Sequence, residues 1–172
     1  MQTSMQTGIE SVFPAKNGCS FDDNGVLVVG GTSGVGLATA LAFATAGAPR
    51  IAIVGRNEQR GSEAKERISV TNPTARVAFI AADVNEPAGA TEVAAQAVEF
   101  LGRIDVLVNS TAASYYPELL HELPIEEVPK ILMELALGPM LMSRAVLATM
   151  RRQKCGSIVN IASDAAKVPT PG

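Results

Sequence analysis

At 172 residues the chain has room for one domain with a proper core and hardly for two. Apolar residues make up 47% of it and aromatic residues only 4%, so Ala, Val, Ile and Leu carry the core, a mixture suited to helices packed on a buried parallel sheet. The net charge of −3, with no run of Lys or Arg, gives no electrostatic case for nucleic acid or a membrane surface, and no apolar stretch is expected to reach membrane-spanning length.

Residues 1–24 are polar, broken by Gly and Pro, and read as an N-terminal arm; residues 25–172 then alternate strands and helices. Val26-Leu27-Val28-Val29 is a short β-rich run of the kind buried on both faces. A helix over about 34–46 is apolar on nearly every side, which predicts a buried helix, and Gly47 ends it. The second strand is 51–54. The next helix, about 57–70, is charged except for Gly61, Ala64 and Ile68, whose spacing gives one inward face. A third strand covers 77–81. Asn85 is placed to cap the following helix and Pro87 fits its first turn. Val93, Ala94, Ala97, Val98 and Leu101 line that helix, and Gly102 stops it.

The fourth strand is 104–108, followed by a loop with Tyr115, Tyr116 and His121. A helical pattern runs from about 125 to 152. Pro129 suits its first turn, whereas Pro139 removes a backbone bond and predicts a kink. The fifth strand is 157–161. Five strands joined by helical crossovers imply a right-handed, doubly wound parallel sheet. Cys19 and Cys155 fall in unrelated segments with no CxxC pair; they read as free thiols of a reducing compartment, with no metal site, and make a cytoplasmic location the expectation. The N-terminus has no signal-peptide pattern.

Between the first strand and its helix stands Gly30-Gly31-Thr32-Ser33-Gly34-Val35-Gly36, with glycines spaced G-x-x-x-G-x-G. Gly30 permits the tight turn, Gly34 lets a phosphate approach the backbone, and Gly36 lets the helix pack on the sheet. The helix N-terminus adds unpaired N–H groups and a partial positive charge for a pyrophosphate, and Thr32 and Ser33 add hydroxyl donors. An ordinary glycine turn is the bland alternative; the strand before and the helix after favour the dinucleotide. No Gly-Lys-Ser/Thr follows, which argues against a P-loop nucleotide hydrolase.

From about Val26 to Ala166 the chain resembles the short-chain dehydrogenase/reductase family of the shorter, single-domain type. Asp83-Val84 follows the third strand, where the family has an Asp contacting the adenine. Asp105-Val106-Leu107-Val108-Asn109 is similar to its fourth strand, although the family's Asn-Asn-Ala-Gly reads Asn109-Ser110-Thr111-Ala112 here. Ser143-Arg144-Ala145-Val146-Leu147 resembles the second half of its central helix, and 157–163 its fifth strand, ending in the catalytic Ser. The resemblance implies a Rossmann-type α/β fold with strand order 3-2-1-4-5, the family's last strands and helices lying outside these 172 residues. It also implies a nicotinamide cofactor, a small carbonyl or alcohol substrate, and a homodimer or homotetramer for the full-length protein.

An NAD-specific site usually has Asp or Glu after the second strand, for the ribose 2′-hydroxyl. Gly55-Arg56 stands there instead. A carboxylate repels a 2′-phosphate, whereas a guanidinium binds it with paired hydrogen bonds, so NADP(H) is expected over NAD(H). Arg60, one turn on, could assist; a solvated loop charge is the plainer alternative for Arg56, and Ser33 stands where many NADP-dependent relatives carry a basic residue.

In this family a Tyr exchanges the proton at the substrate oxygen, a Lys one turn later lowers the Tyr pKa, a Ser positions that oxygen and an Asn supports a proton relay. A phenol with pKa near 10 is a poor base at neutral pH without a neighbouring cation. Ser163 matches the Ser; a helix or turn cap is its other reading. No Tyr-x-x-x-Lys occurs in the chain, and Leu135 stands at the relay Asn. Tyr115 and Tyr116 read as loop residues, His121 as a surface residue, and Met133, Met140, Met142 and Met150 as core or interface residues. Two expectations follow: an oxidoreductase of which these residues are a fragment, the view favoured by the end at Pro169-Thr170-Pro171-Gly172, or a catalytically incomplete NADP(H)-binding or regulatory module. A sugar-nucleotide epimerase relative shares the fold but usually has another glycine spacing.

Overall fold

The computed structural model describes residues 23–111, 119 and 121–163. The strands are β1 (Gly25–Val29), β2 (Arg50–Gly55), β3 (Arg76–Ala81), β4 (Val106–Asn109) and β5 (Ser157–Asn160). All pair in parallel in the order β3-β2-β1-β4-β5. Helices α1 (Gly34–Thr45), α2 (Glu58–Thr71), α3 (Pro87–Leu101), α4 (Glu127–Leu132) and α5 (Gly138–Gln153) connect them. The expected doubly wound sheet and its strand order are both present.

Strand β1 is buried along its whole length, because helices cover both faces of a parallel sheet. One layer of core packs Val26, Val28, Ile51 and Ile53 against α1 and α2 through Leu37, Ala40, Phe43, Ala64 and Ile68. The other packs Leu27, Ala52, Val54 and Leu107 against α3 and α5 through Val93, Ala97, Leu101, Met142 and Val146. The alternation of side chains along each strand divides the two layers.

Several local expectations need correction. Helix α1 buries only one face, and its Val35 is 58% exposed. Asn57 is the N-cap of α2, its side chain accepting from Arg60 N at 2.9 Å. Asn85 does not cap α3: Glu86 holds the N-cap position, and Asn85 N donates to Asp83 Oδ1 at 3.0 Å in an Asx turn. Strand β4 begins at Val106, two residues later than expected; the side chain of Asp105 before it is engaged by Arg103 and Gly25 N. Asp23 pairs with Arg50 and Asn24 is buried, so the docked chain begins before residue 25; the rest of the expected arm, 1–22, lies outside the described residues.

At Pro139 the long helix changes its winding. A π-helical turn, Met133–Leu137, precedes it, with Gly138 N bonding to Met133 O. The wider turn absorbs the missing donor. The continuous helix Glu127–Gln153 is long and apolar enough to cross a membrane by length and composition, contrary to expectation. Met142, Val146 and Met150 nonetheless lie buried against the sheet domain. Cys155 is disulfide-bonded, not a free thiol, which removes its support for a reducing compartment; Cys19 lies outside the described residues.

Candidate dinucleotide-binding site

Parallel strands end together. The register aligns Val54, Val29, Asn109 and Asn160 across four strands, and Gly55 with Ala81. The residues that follow, Gly30, Arg56, Asp83, Ser110 and Ser163, therefore share the carboxyl edge of the sheet, where ligands of open α/β folds bind.

The glycine turn is fixed from both sides. Gly30 N and Gly31 N both donate to Val54 O, at 2.9 and 3.2 Å. Gly30 has φ +76°, and a Cβ there would strike the carbonyl oxygen of Ser110. A Cβ on Gly36 would strike the carbonyl oxygen of Gly30, so this glycine serves the contact between helix and turn. Gly34 differs: φ is +52°, yet a Cβ would meet nothing within 4 Å. The backbone there faces open space. Leu37 N makes the first bond of the helix, to Ser33 O, which leaves the amides of Gly34, Val35 and Gly36 ahead of it. Ser33 makes no side-chain capping bond. The arrangement suits a phosphate: open approach, forward-pointing amides and the positive end of α1.

Gly55 lies against Thr32, whose Cγ2 would be 2.7 Å from an added Cβ. An acidic side chain at the end of β2 would need Thr32 to move. Arg56 projects beyond it, 63% exposed, with Nη1 donating to Glu134 Oε1 at 3.3 Å. Asp83 is exposed, and Val84 is buried, its side chain belonging to the core. Thr111 Oγ1 donates to Glu134 O at 3.1 Å.

Asn109 faces inward, 2% exposed. Its Nδ2 donates to Asn160 Oδ1 at 2.8 Å and lies 3.3 Å from Pro139 O and 3.4 Å from Ser143 Oγ. The side chain thus ties β4 to β5 and α5 behind the crevice. Ser163 is exposed three residues past β5. Leu135, in the π-helical turn, is 54% exposed. Tyr115 and Tyr116 lie outside the described residues; the side chain of His121 is 77% exposed, on the surface. Sequence reasoning passed over Glu134 and Asn160. Asn160 was recoverable, since it ends β5 as Asn109 ends β4; Glu134 reaches Arg56 across 78 residues, and no local pattern signals that.

A family model described as short chain dehydrogenase matches residues 24–172. The chain belongs to the short-chain dehydrogenase/reductase family. Within that family of oxidoreductases it is 34% identical over 152 residues to an uncharacterized oxidoreductase of Thermotoga maritima, covering 88% of this chain and 58% of the relative. It is 35% identical to the 3-ketodihydrosphingosine reductase of Mus musculus, covering 83% of this chain and 43% of the relative. Among solved structures, levodione reductase superposes with a TM-score of 0.84 at 30% identity, covering 88% of this chain and 58% of its own. An NAD+-bound xylitol dehydrogenase superposes with a TM-score of 0.80 at 26% identity, covering 89% and 58%. The chain thus spans about half the length of these curated relatives.

Proposed function

We propose that the chain is the cofactor-binding part of an NADP(H)-dependent oxidoreductase that moves hydride between the cofactor and a carbonyl or secondary alcohol. One observation carries the reading. Gly34 holds an open left-handed backbone at the free start of α1, while Arg56 replaces a carboxylate at the end of the neighbouring strand. The residues present fit a dinucleotide with a 2′-phosphate: amides 34–36, with Thr32 and Ser33, hold the pyrophosphate; Arg56 binds the 2′-phosphate; Asp83 and Val84 N border the adenine; and 109–111 border the nicotinamide-side ribose. When bound, the cofactor supplies the hydride. The protein's own part is to fix the two reactants in register, with Ser163 Oγ donating to the substrate oxygen.

A second reading, a binding or regulatory module without turnover, draws on Leu135, an exposed hydrocarbon at the relay position. Activity separates the two. The 172 residues alone should reduce no ketone at an enzyme-like rate, because general acid–base help worth about 10² to 10⁴ is missing. A longer chain that supplies Tyr-x-x-x-Lys should oxidise NADPH with a ketone panel, and Ser163→Ala should slow it strongly. An inactive longer chain favours the module; turnover by the 172 residues, abolished at Tyr115 or Tyr116, would show that the proton donor lies in the loop after β4.

The same reading includes self-association through the helix Glu127–Gln153. Met142 is buried in the core and contributes no such surface, but Leu132, Leu137, Met140 and Leu147 are exposed. Sedimentation of the intact protein should show a dimer or tetramer that Leu147→Glu weakens.

A further inference from the structure

The guanidinium assigned to the 2′-phosphate already has an anionic neighbour. Arg56 Nη1 donates to Glu134 Oε1 at 3.3 Å, and the partners are 78 residues apart. Arg56 is the first residue past β2; Glu134 lies in the π-helical turn on the far side of the crevice. The contact therefore spans the mouth of the proposed cofactor site.

The two partners are held differently. The side chain of Glu134 is 17% exposed, and its backbone carbonyl is bonded by Thr111 Oγ1, so the residue's backbone is held and its side chain is largely buried. The side chain of Arg56 is 63% exposed. The geometry is that of a loose partner: one donor of five is used, at a length beyond the 2.7–2.9 Å of a strong charge-assisted bond. A phosphate offers the same guanidinium paired acceptors and more charge. It would win the contact, but against a largely buried carboxylate.

We propose that Glu134 is a determinant of cofactor affinity: its carboxylate occupies Arg56 in the ligand-free protein and lowers the affinity for 2′-phosphorylated dinucleotides alone. The inference rests on the NADP(H) reading. Two effects act in the same direction. The phosphate must displace the carboxylate or share the guanidinium with it, and two anions on one cation repel. A non-phosphorylated ribose encounters neither.

The test is Glu134→Gln, which keeps the size of the side chain and leaves the backbone bond to Thr111 untouched. NADPH, NADH and the fragment 2′,5′-ADP are titrated calorimetrically against the unmutated chain, Glu134→Gln, Arg56→Ala and the double variant. NADPH and 2′,5′-ADP should bind Glu134→Gln about two- to fivefold tighter, the range an exposed ion pair contributes, with NADH unchanged. No gain should remain in the Arg56→Ala background. Weaker NADPH binding by Glu134→Gln would make Glu134 an aid to Arg56 and overturn the proposal, as would equal tightening of NADPH and NADH. If Arg56→Ala itself leaves NADPH binding unchanged, the NADP(H) reading falls first. Glu134→Ala provides the same comparison should the Gln variant fail to fold.

Discussion

The two edges of the sheet are built from the same five strands and carry opposite chemistry. At the amino edge a cluster of charged groups is paired around Asp105. Asp105, with a side chain 1% exposed, receives Gly25 N at 2.9 Å and Arg103 Nε at 2.8 Å; Arg103 and Arg50 in turn reach Asp23. Hydrogen bonding to Asp105 raises the pKa of Arg103 above its ordinary value, against the opposing effect of burial. Gln153 closes the edge with bonds to both Ile104 N and Ile104 O. At the carboxyl edge the helix start is uncapped, Gly34 faces open space, and Arg56 stands out into solvent with one loose partner. Closure at one edge stabilises the sheet, and openness at the other leaves room for a ligand. Residues of the first edge should control folding with little effect on binding, and residues of the second should do the reverse.

The largest effects should come where this division is attacked most directly. Asp105→Ala leaves Arg103 and Gly25 N without their buried acceptor and should destabilise the fold by about 3–5 kcal/mol, read from the urea midpoint. The fraction still folded should bind NADPH as before; a selective binding loss would break the division. Gly36→Val should damage both properties, because its side chain meets the Gly30 carbonyl. Gly34→Val should abolish NADPH binding while costing the fold only about 1–2 kcal/mol for a left-handed branched residue. Unchanged binding by the folded Gly34 variant would remove this turn as the pyrophosphate site.

Smaller effects sharpen the comparison. Arg56→Ala should weaken NADPH by about 1.5–3 kcal/mol, the value of a charge-assisted contact, and leave the thermal midpoint nearly unmoved. Asn57→Ala, next to it, should do the opposite: its side chain accepts from Arg60 N, so the loss is about 1 kcal/mol of stability with cofactor affinity kept. Opposite signatures at adjacent positions would be hard to reconcile with any site elsewhere.

How much of this was legible beforehand followed the range of the interactions involved. Strands β1 and β2 and the stripe Gly61, Ala64 and Ile68 announce themselves by local pattern, and the fold followed from their alternation. The glycine turn was equally readable, since each glycine answers a constraint within a few residues or at one neighbouring strand. The capping of α3 differs from the local pattern because an Asx turn with Asp83 engages Asn85 N, and the helix starts one residue later, with Glu86 at the N-cap position and no side-chain capping bond. The inward turn of Asn109 depends on Asn160 and α5, which only the folded sheet brings near. The Arg56–Glu134 contact depends on a π-helical turn, a local widening that apolar periodicity does not reveal.

The most direct measurement is a pair of calorimetric titrations of the unmutated 172-residue chain, with NADPH and NADH in the same buffer at low and high salt. An open carboxyl edge bearing Arg56 predicts NADPH binding about ten- to a hundredfold tighter than NADH, equivalent to the roughly 1.5–3 kcal/mol contact. The gap should narrow at high salt as the exposed guanidinium is screened. Equal affinities for the two cofactors at low salt would contradict the assignment of Arg56, and no binding of either would contradict the site itself.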